Sequence, residues 1–236
     1  MDSNLPGLTP RLSLIASYVQ KGAKIADIGT DHAYLPVWLI NSGIAVSAVA
    51  SDISEGPLES ARKTACIYNA VDKVTFVKAD GLQGVYPSQA DEIIIAGMGG
   101  ELISAILAQC EWIKNSSKRL ILQPMTAQAE LHDFLSENGY SILEEKVAAE
   151  KHNSKLYLVI SAVYTGEIFK ADPVFRICGT LSREGGQNER LYLEHQAQIL
   201  KKKSNGLRAS KNGDLSEAQR ADRLAEKILE ICVKMG

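Results

Sequence analysis

The stretch Ile25–Pro36 reads IADIGTDHAYLP and decides the predicted fold. It starts as an apolar run, turns at Gly29, and places Asp31 and His32 where a helix is expected to begin. A strand, a glycine turn and a helix in this order form the first unit of a parallel α/β sheet. Phosphate is the usual ligand of such a turn, because helix N-termini attract anions. Here Asp27 and Asp31 flank the glycine, so the turn predicts a ligand other than a phosphate.

The length and charge of the chain limit the classes of protein that it can be. Its 236 residues suffice for one domain of ordinary size and an appendage. The net charge is −2, so no global basic field indicates a nucleic-acid partner. However, residues 170–236 hold thirteen basic and nine acidic residues, a net charge of +4. This basic end predicts a polyanionic partner for the C-terminal part.

Cysteine, histidine and apolar patterns argue against metal and membrane functions. The cysteines form no CxxC pair and the four histidines are scattered, so we predict neither a zinc site nor a disulfide framework. No apolar run reaches the roughly 18 residues of a membrane span, and the N-terminus lacks a signal-peptide pattern. We therefore expect free thiols, no metal, no membrane partner and a cytoplasmic protein.

Strand-like and helix-like segments alternate five times before the pattern changes to a hairpin. The predicted strands are Lys24–Ile28, Ile44–Asp52, Lys73–Ala79, Asp91–Ala96 and Arg119–Leu122, and the predicted helices are Leu8–Gln20, Tyr34–Asn41, Ser54–Asn69, Leu102–Cys110 and Ala127–Asn138. Tyr140–Ala149 and Lys155–Tyr164 then read as two strands joined by a short polar turn. This layout predicts an α/β domain over residues 1–165, with the class I (Rossmann-like) methyltransferase sheet and its terminal antiparallel hairpin.

The C-terminal residues 166–236 are predicted to form a separate helical hairpin domain. Gly185-Gly186 opens a helical stretch to about Lys203, and Ser204–Gly206 is expected to break it. Ser216 is the expected cap of a second helix with apolar residues at helical spacing. Periodicity alone leaves open whether this hairpin only packs or also binds a partner.

Acidic residues follow successive predicted strands at the edge where a ligand crevice is expected. Asp27 and Asp31 flank the first turn, Asp52 ends the second strand, and Asp80 ends the third. Each has a structural alternative: a satisfied buried acid for Asp27, a helix cap for Asp52 and a plain turn residue for Asp80. The fourth strand leads into AGMGG (Ala96–Gly100), which could also be a tight turn before a helix.

The acidic edge favours S-adenosylmethionine over a nicotinamide dinucleotide. A dinucleotide needs three glycines in GxGxxG for its pyrophosphate, whereas this turn has Gly29 alone and an acid at position 31. S-adenosylmethionine carries an ammonium and a sulfonium, both of which favour nearby carboxylates. Acids after the second and third strands can accept hydrogen bonds from ribose hydroxyls and from an adenine amino group.

Four runs of sequence together resemble the bacterial TrmK family: ADIGTDHAYLP (Ala26–Pro36), AGMGG (Ala96–Gly100), LILQP (Leu120–Pro124) and LTPRL (Leu8–Leu12). These enzymes are tRNA (adenine-N1)-methyltransferases that act on adenine 22. The resemblance covers most of the chain, but in the C-terminal part it is one of layout only. The family often has Asn after the QP pair, whereas this chain has Met125. Together with the acidic edge, the resemblance implies a cofactor set of Asp27, Gly29, Asp31, His32, Asp52, Ile53, Asp80, Gly81, Gly97, Met98 and Gly99.

The expected chemistry needs little from the protein beyond placement and charge. Adenine N1 already has an in-plane lone pair, so no strong base is required; the base must be freed and aligned. We predict Asp31 and His32 as catalytic residues, with Asp31 stabilising the positive charge of the product. The predicted substrate contacts are Arg11, Tyr34, Gln123 and Pro124, with His32 as a further candidate for contact with the base.

RNA binding is predicted for the basic C-terminal end, and other functions remain open. The expected phosphate contacts are Lys201, Lys202, Lys203, Arg208 and Lys211, although a lysine run can also be a solvated helix end. The protein is expected to be a monomer with tRNA as its partner. The alternatives are a methyltransferase of a small molecule or another RNA, and a catalytically silent binding module; a dehydrogenase is least favoured.

Overall fold

The computed structural model describes residues 5–150 and 155–235, which form one seven-stranded sheet covered by helices. The strands are β1 (Ala23–Ile28), β2 (Ala45–Asp52), β3 (Val74–Lys78), β4 (Glu92–Gly99), β5 (Arg119–Thr126), β6 (Tyr140–Ala149) and β7 (Leu156–Tyr164). The helices are α1 (Pro10–Tyr18), α2 (Tyr34–Asn41), α3 (Glu55–Ile67), α4 (Gly100–Ala108), α5 (Gln128–Glu137), α6 (Pro173–Cys178), α7 (Leu181–Glu184), α8 (Gln187–Ala209) and α9 (Leu215–Lys234). Short 3₁₀ turns lie at Val71–Lys73 and Glu111–Ile113.

The strand order β3-β2-β1-β4-β5-β7-β6 confirms the predicted fold class. β1 to β5 are parallel, while β7 runs antiparallel to both β5 and β6. The central strands are apolar along their length; Ile93–Ile95 and Leu120–Leu122 are fully buried, because helices cover both faces of the sheet. The order reverses at β1, which lies between β2 and β4, so the ligand crevice is expected outside the carboxyl end of β1.

The strands β4 and β5 extend further than the apolar runs predicted. Their pairing continues to Met98↔Pro124 and Gly99↔Thr126, with shifts in register after Ala96. The turn predicted between the hairpin strands falls mainly on residues 151–154 and lies outside the described residues. In the part of the chain that the structure describes, no helix is long and apolar enough to cross a membrane. All four cysteines are free, and three of them are buried.

The predicted break at Ser204–Gly206 is wrong, because α8 continues through it to Ala209. Ser204 is fully buried and its hydroxyl accepts a hydrogen bond from Arg208 Nη1 at 2.9 Å. A glycine inside a helix costs only about 1 kcal/mol relative to alanine, which packing against α9 can offset. The chain instead turns after Ser210, and Asp214, not the predicted Ser216, caps α9 by accepting from the next turn's N–H groups.

A buried polar cluster joins the C-terminal helices to the sheet. His132 Nε2 lies 2.6 Å from Glu145 Oε1, and His132 Nδ1 lies 2.9 Å from the Arg176 carbonyl oxygen. The other oxygen of Glu145 accepts hydrogen bonds from the backbone N–H and the hydroxyl of Thr180. Both ring nitrogens face oxygen acceptors, so the cluster favours the charged imidazolium paired with a carboxylate. Burial alone would lower the pKa of His132, but Glu145 and the carbonyl outweigh it and raise that pKa.

The apolar core also continues from the sheet into the helical hairpin. One cluster of buried side chains includes Ile160 and Leu158 of β7 together with Leu193 of α8 and Ile228 of α9. Glu189 at the start of α8 accepts a hydrogen bond of 2.8 Å from the backbone N–H of Val147. The base of the hairpin is therefore packed on the sheet; the division at residues 165 and 166 remains a prediction.

Candidate active site

The glycine turn after β1 is held against two neighbouring strands. Gly29 has a φ of +77°, a conformation that L-residues other than glycine rarely adopt. The backbone N–H groups of Gly29 and Thr30 donate to the Ser51 carbonyl of β2 at 2.8 and 3.0 Å. A Cβ at position 29 would lie 2.1 Å from the Met98 methyl group. The positive φ requires glycine at this turn, and a Cβ there would in addition displace the end of the Met98 side chain.

Asp31 and His32 lie exposed at the carboxyl edge of the sheet. The Asp31 side chain is 80% exposed and its Oδ2 lies 3.4 Å from His32 Nε2. The His32 ring stacks on Tyr34 with centroids 5.3 Å apart. Ala33, in the left-handed region at φ +52°, directs the chain into α2. The turn therefore presents a carboxylate, an imidazole and a phenol side by side to an incoming ligand.

Asp27 is a buried carboxyl group in β1, two residues before Gly29. Burial raises its pKa from 3.8 to about 6, although the nearby Thr30 hydroxyl partly opposes this. A carboxyl group with this pKa changes its protonation near neutral pH and is held ionised by a nearby cation. The raised pKa therefore fits a site for the ammonium group of a cationic ligand.

The acids after β2 and β3 reach the same edge. Asp52 Oδ1 accepts a hydrogen bond of 2.8 Å from Ser54 N–H, a local turn before α3; Ser54 is the N-cap residue of that helix, so Asp52 does not cap it. Its carbonyl accepts from Ala79 N–H at 3.0 Å, which ties the ends of β2 and β3 together. Ile53 is exposed beside it, and Asp80 is exposed before Gly81, whose φ is +57°. Among the residues that the structure describes, none donates a hydrogen bond to Asp52 Oδ2 or to the Asp80 carboxylate, so both can accept from a ligand.

The ends of β4 and β5 form the other wall, where the Gln123 side chain of β5 binds both Arg11 and Gly97. Its Oε1 accepts from Arg11 Nη1 at 2.7 Å and from Gly97 N–H at 3.1 Å. Its Nε2 donates to the Pro124 carbonyl at 2.9 Å. The Gln123 side chain is fully buried with its hydrogen-bonding groups occupied, so in this structure it holds Arg11 in place and offers no edge to a base. Pro124 is likewise buried within β5.

One residue that the sequence reasoning missed is Tyr157, at the start of β7. Its ring lies under the Arg11 guanidinium, which is 5.6 Å from the ring centroid. Arg11 is therefore fixed from two sides, by an amide and by an aromatic face. The pairing of β7 with β5 brings Tyr157 to this edge, and no local sequence signal predicts that pairing.

The predicted phosphate contacts lie away from this crevice, on α8 and after it. Lys201, Lys202 and Lys203 are exposed, but Lys203 pairs with Glu217 at 2.7 Å. Arg208 forms an ion pair with Asp222 of α9. Within residues 5–150 and 155–235, no group of three or more His, Cys, Asp or Glu side chains could hold a metal ion. The predicted cofactor residues lie at or just after the carboxyl ends of β1 to β4, and the lysine run forms a second, separate surface.

The strand order and the acidic glycine turn define a class I methyltransferase, and comparison with known proteins agrees. The family model described as "Methyltransferase domain" matches residues 8–160. The tRNA (adenine(22)-N(1))-methyltransferase of Bacillus subtilis is 36% identical over 155 residues, which are 66% of this chain and 64% of that protein. The matched region thus spans slightly less than two thirds of that relative. The chain belongs to the family of bacterial tRNA (adenine(22)-N(1))-methyltransferases.

Solved structures agree over nearly the whole chain. Streptococcus pneumoniae Sp1610, named as a candidate tRNA (m1A22) methyltransferase, is 31% identical with a TM-score of 0.83, covering 96% of this chain and 100% of that one. The B. subtilis M1A22 tRNA methyltransferase TrmK is 27% identical with a TM-score of 0.81, covering 98% and 99%. A complex of Sp1610 with S-adenosyl-L-methionine is 29% identical with a TM-score of 0.82, covering 94% and 100%. The likeness includes the C-terminal helices, for which the sequence indicated only a common layout.

Proposed function

We propose that the protein transfers a methyl group from S-adenosylmethionine to N1 of adenine 22 in tRNA. The observation that carries this proposal is the turn at Gly29, with a buried acid before it and an exposed acid after it. That turn suits a cation and repels a phosphate. Family membership supports the choice of a tRNA adenine as the methyl acceptor.

The cofactor-binding residues are assigned by the chemistry of their donors and acceptors. S-adenosylmethionine, when bound, supplies an electrophilic methyl group on a sulfonium. Asp27 and Asp31 provide negative charge for its cationic part, Asp52 accepts from the ribose, and Asp80 accepts from the adenine amino group. Ile53 offers an exposed apolar face. The backbone of Gly81, Gly97, Met98 and Gly99 completes the walls of the crevice.

The substrate side of the crevice is assigned to residues that can hold a base without removing a proton. Adenine N1 needs no general base, so alignment and charge are the contributions required. Arg11 is held by Gln123 and Tyr157, and the stacked pair of His32 and Tyr34 gives a flat face for an extruded base. In this assignment Gln123 is a positioning residue, while Arg11, His32 and Tyr34 contact the substrate.

Replacing Asp31 by alanine should lower kcat roughly 10- to 100-fold, because one electrostatic stabiliser of the developing positive charge is lost. Methyl transfer under saturating cofactor measures kcat, and calorimetry measures cofactor affinity separately. Asp72→Ala, which removes an exposed acid before β3 at the other edge of the sheet, is the matched control. Unchanged turnover in Asp31→Ala would remove Asp31 from the catalytic set; an effect confined to cofactor affinity would leave it a binding residue only.

The lysine run predicts salt-dependent tRNA binding in which Lys202 contributes more than Lys203. No ion pair found among the described residues includes Lys202, whereas Lys203 already pairs with Glu217. Each lost phosphate contact should reduce the slope of log affinity against log salt by about 0.7–0.9. We expect that reduction for Lys202→Ala and a smaller one for Lys203→Ala, measured by filter binding at several salt concentrations. An affinity that does not change with salt would exclude phosphate contacts here.

The proposed function is tested by methyl transfer from labelled S-adenosylmethionine to unmodified tRNA transcripts. The product nucleoside and its position are identified by mass spectrometry. N1-methyladenosine at position 22 is the expected result. Cofactor binding without transfer to tRNA would move the substrate to a small molecule or another RNA, and absence of cofactor binding would contradict the assignment of the crevice.

A further inference from the structure

A large groove begins where the catalytic edge ends and runs beneath α8. It encloses about 1100 Å³, beyond the roughly 300–1000 Å³ of small-molecule pockets. One wall is the segment from Pro124 to Gln128 after β5, and the floor is formed by the facing ends of β6 and β7, including Tyr157. The other wall is the first half of α8, from Leu191 to Ile199. The assigned cofactor residues lie outside this groove.

The groove is continuous with the substrate side of the crevice. Pro124 directly follows Gln123, which holds Arg11, and the Tyr157 ring that lines the groove also lies under Arg11. A polymer whose target base sits beside Arg11 therefore has this groove as its adjacent space. A ligand confined to the crevice would leave the groove unused.

The lining suits nucleobases and riboses better than phosphates. Met125, Leu191 and Ile199 are apolar residues that remain 40–48% exposed although they line a concavity. The aromatic ring of Tyr157 adds a stacking surface, and amide side chains from α5 and α8 add donors and acceptors. Glu150 and Glu194 also line the groove together with Lys155, so its carboxylates outnumber its lysines and disfavour a phosphate inside it.

Two exposed lysines lie just beyond the groove on the same helix. Lys201 and Lys202 follow Ile199 within one turn of α8 and are exposed. A strand whose bases enter the groove can therefore place its phosphates toward these lysines. Bases inside and phosphates at the rim are the arrangement that proteins use to bind single-stranded nucleic acid.

We infer that this groove binds one or more unpaired nucleotides of the tRNA that flank the target adenine, with their bases against Tyr157, Leu191 and Ile199. The inference rests on the proposed function and extends it, because it assigns a second nucleotide subsite outside the crevice. It makes α8 a part of substrate recognition through its apolar face as well as through its lysines.

The test replaces Ile199, which is 48% exposed, by glutamate and compares it with Val233→Glu. Val233 is an 80% exposed apolar residue of α9 outside the groove, so both variants add the same charge to the helical hairpin. We expect Ile199→Glu to raise the KM for tRNA roughly 10- to 100-fold, the loss expected for one stacked base, with cofactor affinity unchanged. Val233→Glu should behave as the wild type. Equal KM values for Ile199→Glu and the wild type would overturn the inference.

A photocrosslink identifies the occupant directly. With p-benzoylphenylalanine in place of Leu191, we expect crosslinks to nucleotides within a few positions of adenine 22. Crosslinks only to distant nucleotides, or a change in self-association of Ile199→Glu in sedimentation, would assign the groove to another partner and overturn the inference. Wild-type protein that binds cofactor but methylates no tRNA would contradict the proposed function as well as the inference. Wild-type protein that methylates tRNA, together with an Ile199→Glu variant of unchanged KM, would contradict only the inference about the groove.

Discussion

Replacing Asp27 by asparagine should weaken S-adenosylmethionine binding by roughly 100-fold while making the free protein more stable. The affinity falls because truncating one member of a buried charge pair costs about 2–5 kcal/mol. The stability rises because the wild-type protein must keep an acid in an apolar strand, where burial raises its pKa to about 6. Isothermal calorimetry measures the first effect, and urea unfolding of the free protein measures the second.

The pH dependence of both effects follows from the direction of the Asp27 pKa shift. The folded-state pKa, about 6, lies above the ordinary aspartate value of 3.8, so the folded protein binds this proton more tightly than the unfolded chain. Wild-type stability therefore falls as pH rises from about 4 to about 6, by up to about 3 kcal/mol in total. Cofactor affinity should change in the opposite sense, decreasing about tenfold per pH unit below pH 6, because protonated Asp27 cannot pair with a cation.

Glu92→Gln is the matched control for Asp27→Asn. Glu92 is also buried, and burial raises its pKa to about 7, but it lies at the start of β4, on the opposite edge of the sheet. The control should share the gain in stability at neutral pH and keep the affinity for the cofactor. An Asp27→Asn protein that binds S-adenosylmethionine as tightly as the wild type would remove Asp27 from the cofactor site.

Replacing His132 by alanine should destabilise the protein by about 3–5 kcal/mol, the usual cost of leaving one buried charge without its partner. His132 and Glu145 are both fully buried, and their contact joins α5 to β6 beside the start of α7. The pair's contribution is complete below the ordinary histidine pKa of 6.5 and declines as pH rises through the raised folded-state pKa. Urea unfolding at pH 6 and pH 8 measures both the loss and its pH dependence.

The neighbouring pair of Arg176 and Asp133 supplies the control for this second prediction. It also joins α5 to α6, with an N–O distance of 2.7 Å, but both side chains are partly exposed. Asp133→Asn should therefore cost at most about 1 kcal/mol. Limited proteolysis should show earlier cleavage within residues 166–235 in His132→Ala than in Asp133→Asn. Equal free energies of unfolding for the two variants would show that the buried pair stabilises the protein no more than the partly exposed pair does.

The sequence predicts the fold well where a feature depends on a short stretch of residues or on the general arrangement of parallel α/β sheets. Tyr34–Asn41 is a helix with the predicted ends, and the acids of the ligand edge come together because parallel strands share one carboxyl edge. Gly29 was identifiable because it lies where an apolar strand pattern ends, between Asp27 and Asp31. These features depend on short stretches and on a general rule of α/β sheets.

The features that sequence reasoning missed depend on tertiary contacts between distant residues. Ser204 and Gly206 look like a helix break, yet packing of α8 against α9 keeps them helical. The buried Gln123 has its side-chain oxygen occupied because Arg11, 112 positions earlier in the chain, donates a hydrogen bond to it. The groove under α8 exists only after β7 pairs with β5 and the hairpin packs on the sheet, so no periodicity in the sequence indicates it.

In the proposed binding mode, the uninterrupted α8 also sets a length requirement for the RNA. From Leu191 to Lys203 the helix rises about 18 Å, at 1.5 Å per residue. A stacked strand covers that distance in about five nucleotides at 3.4 Å each. RNA fragments that end sooner on that side of the target adenine would reach the crevice but leave the lysine run unoccupied. The length of α8 would therefore favour a whole tRNA over short fragments that carry the same adenine.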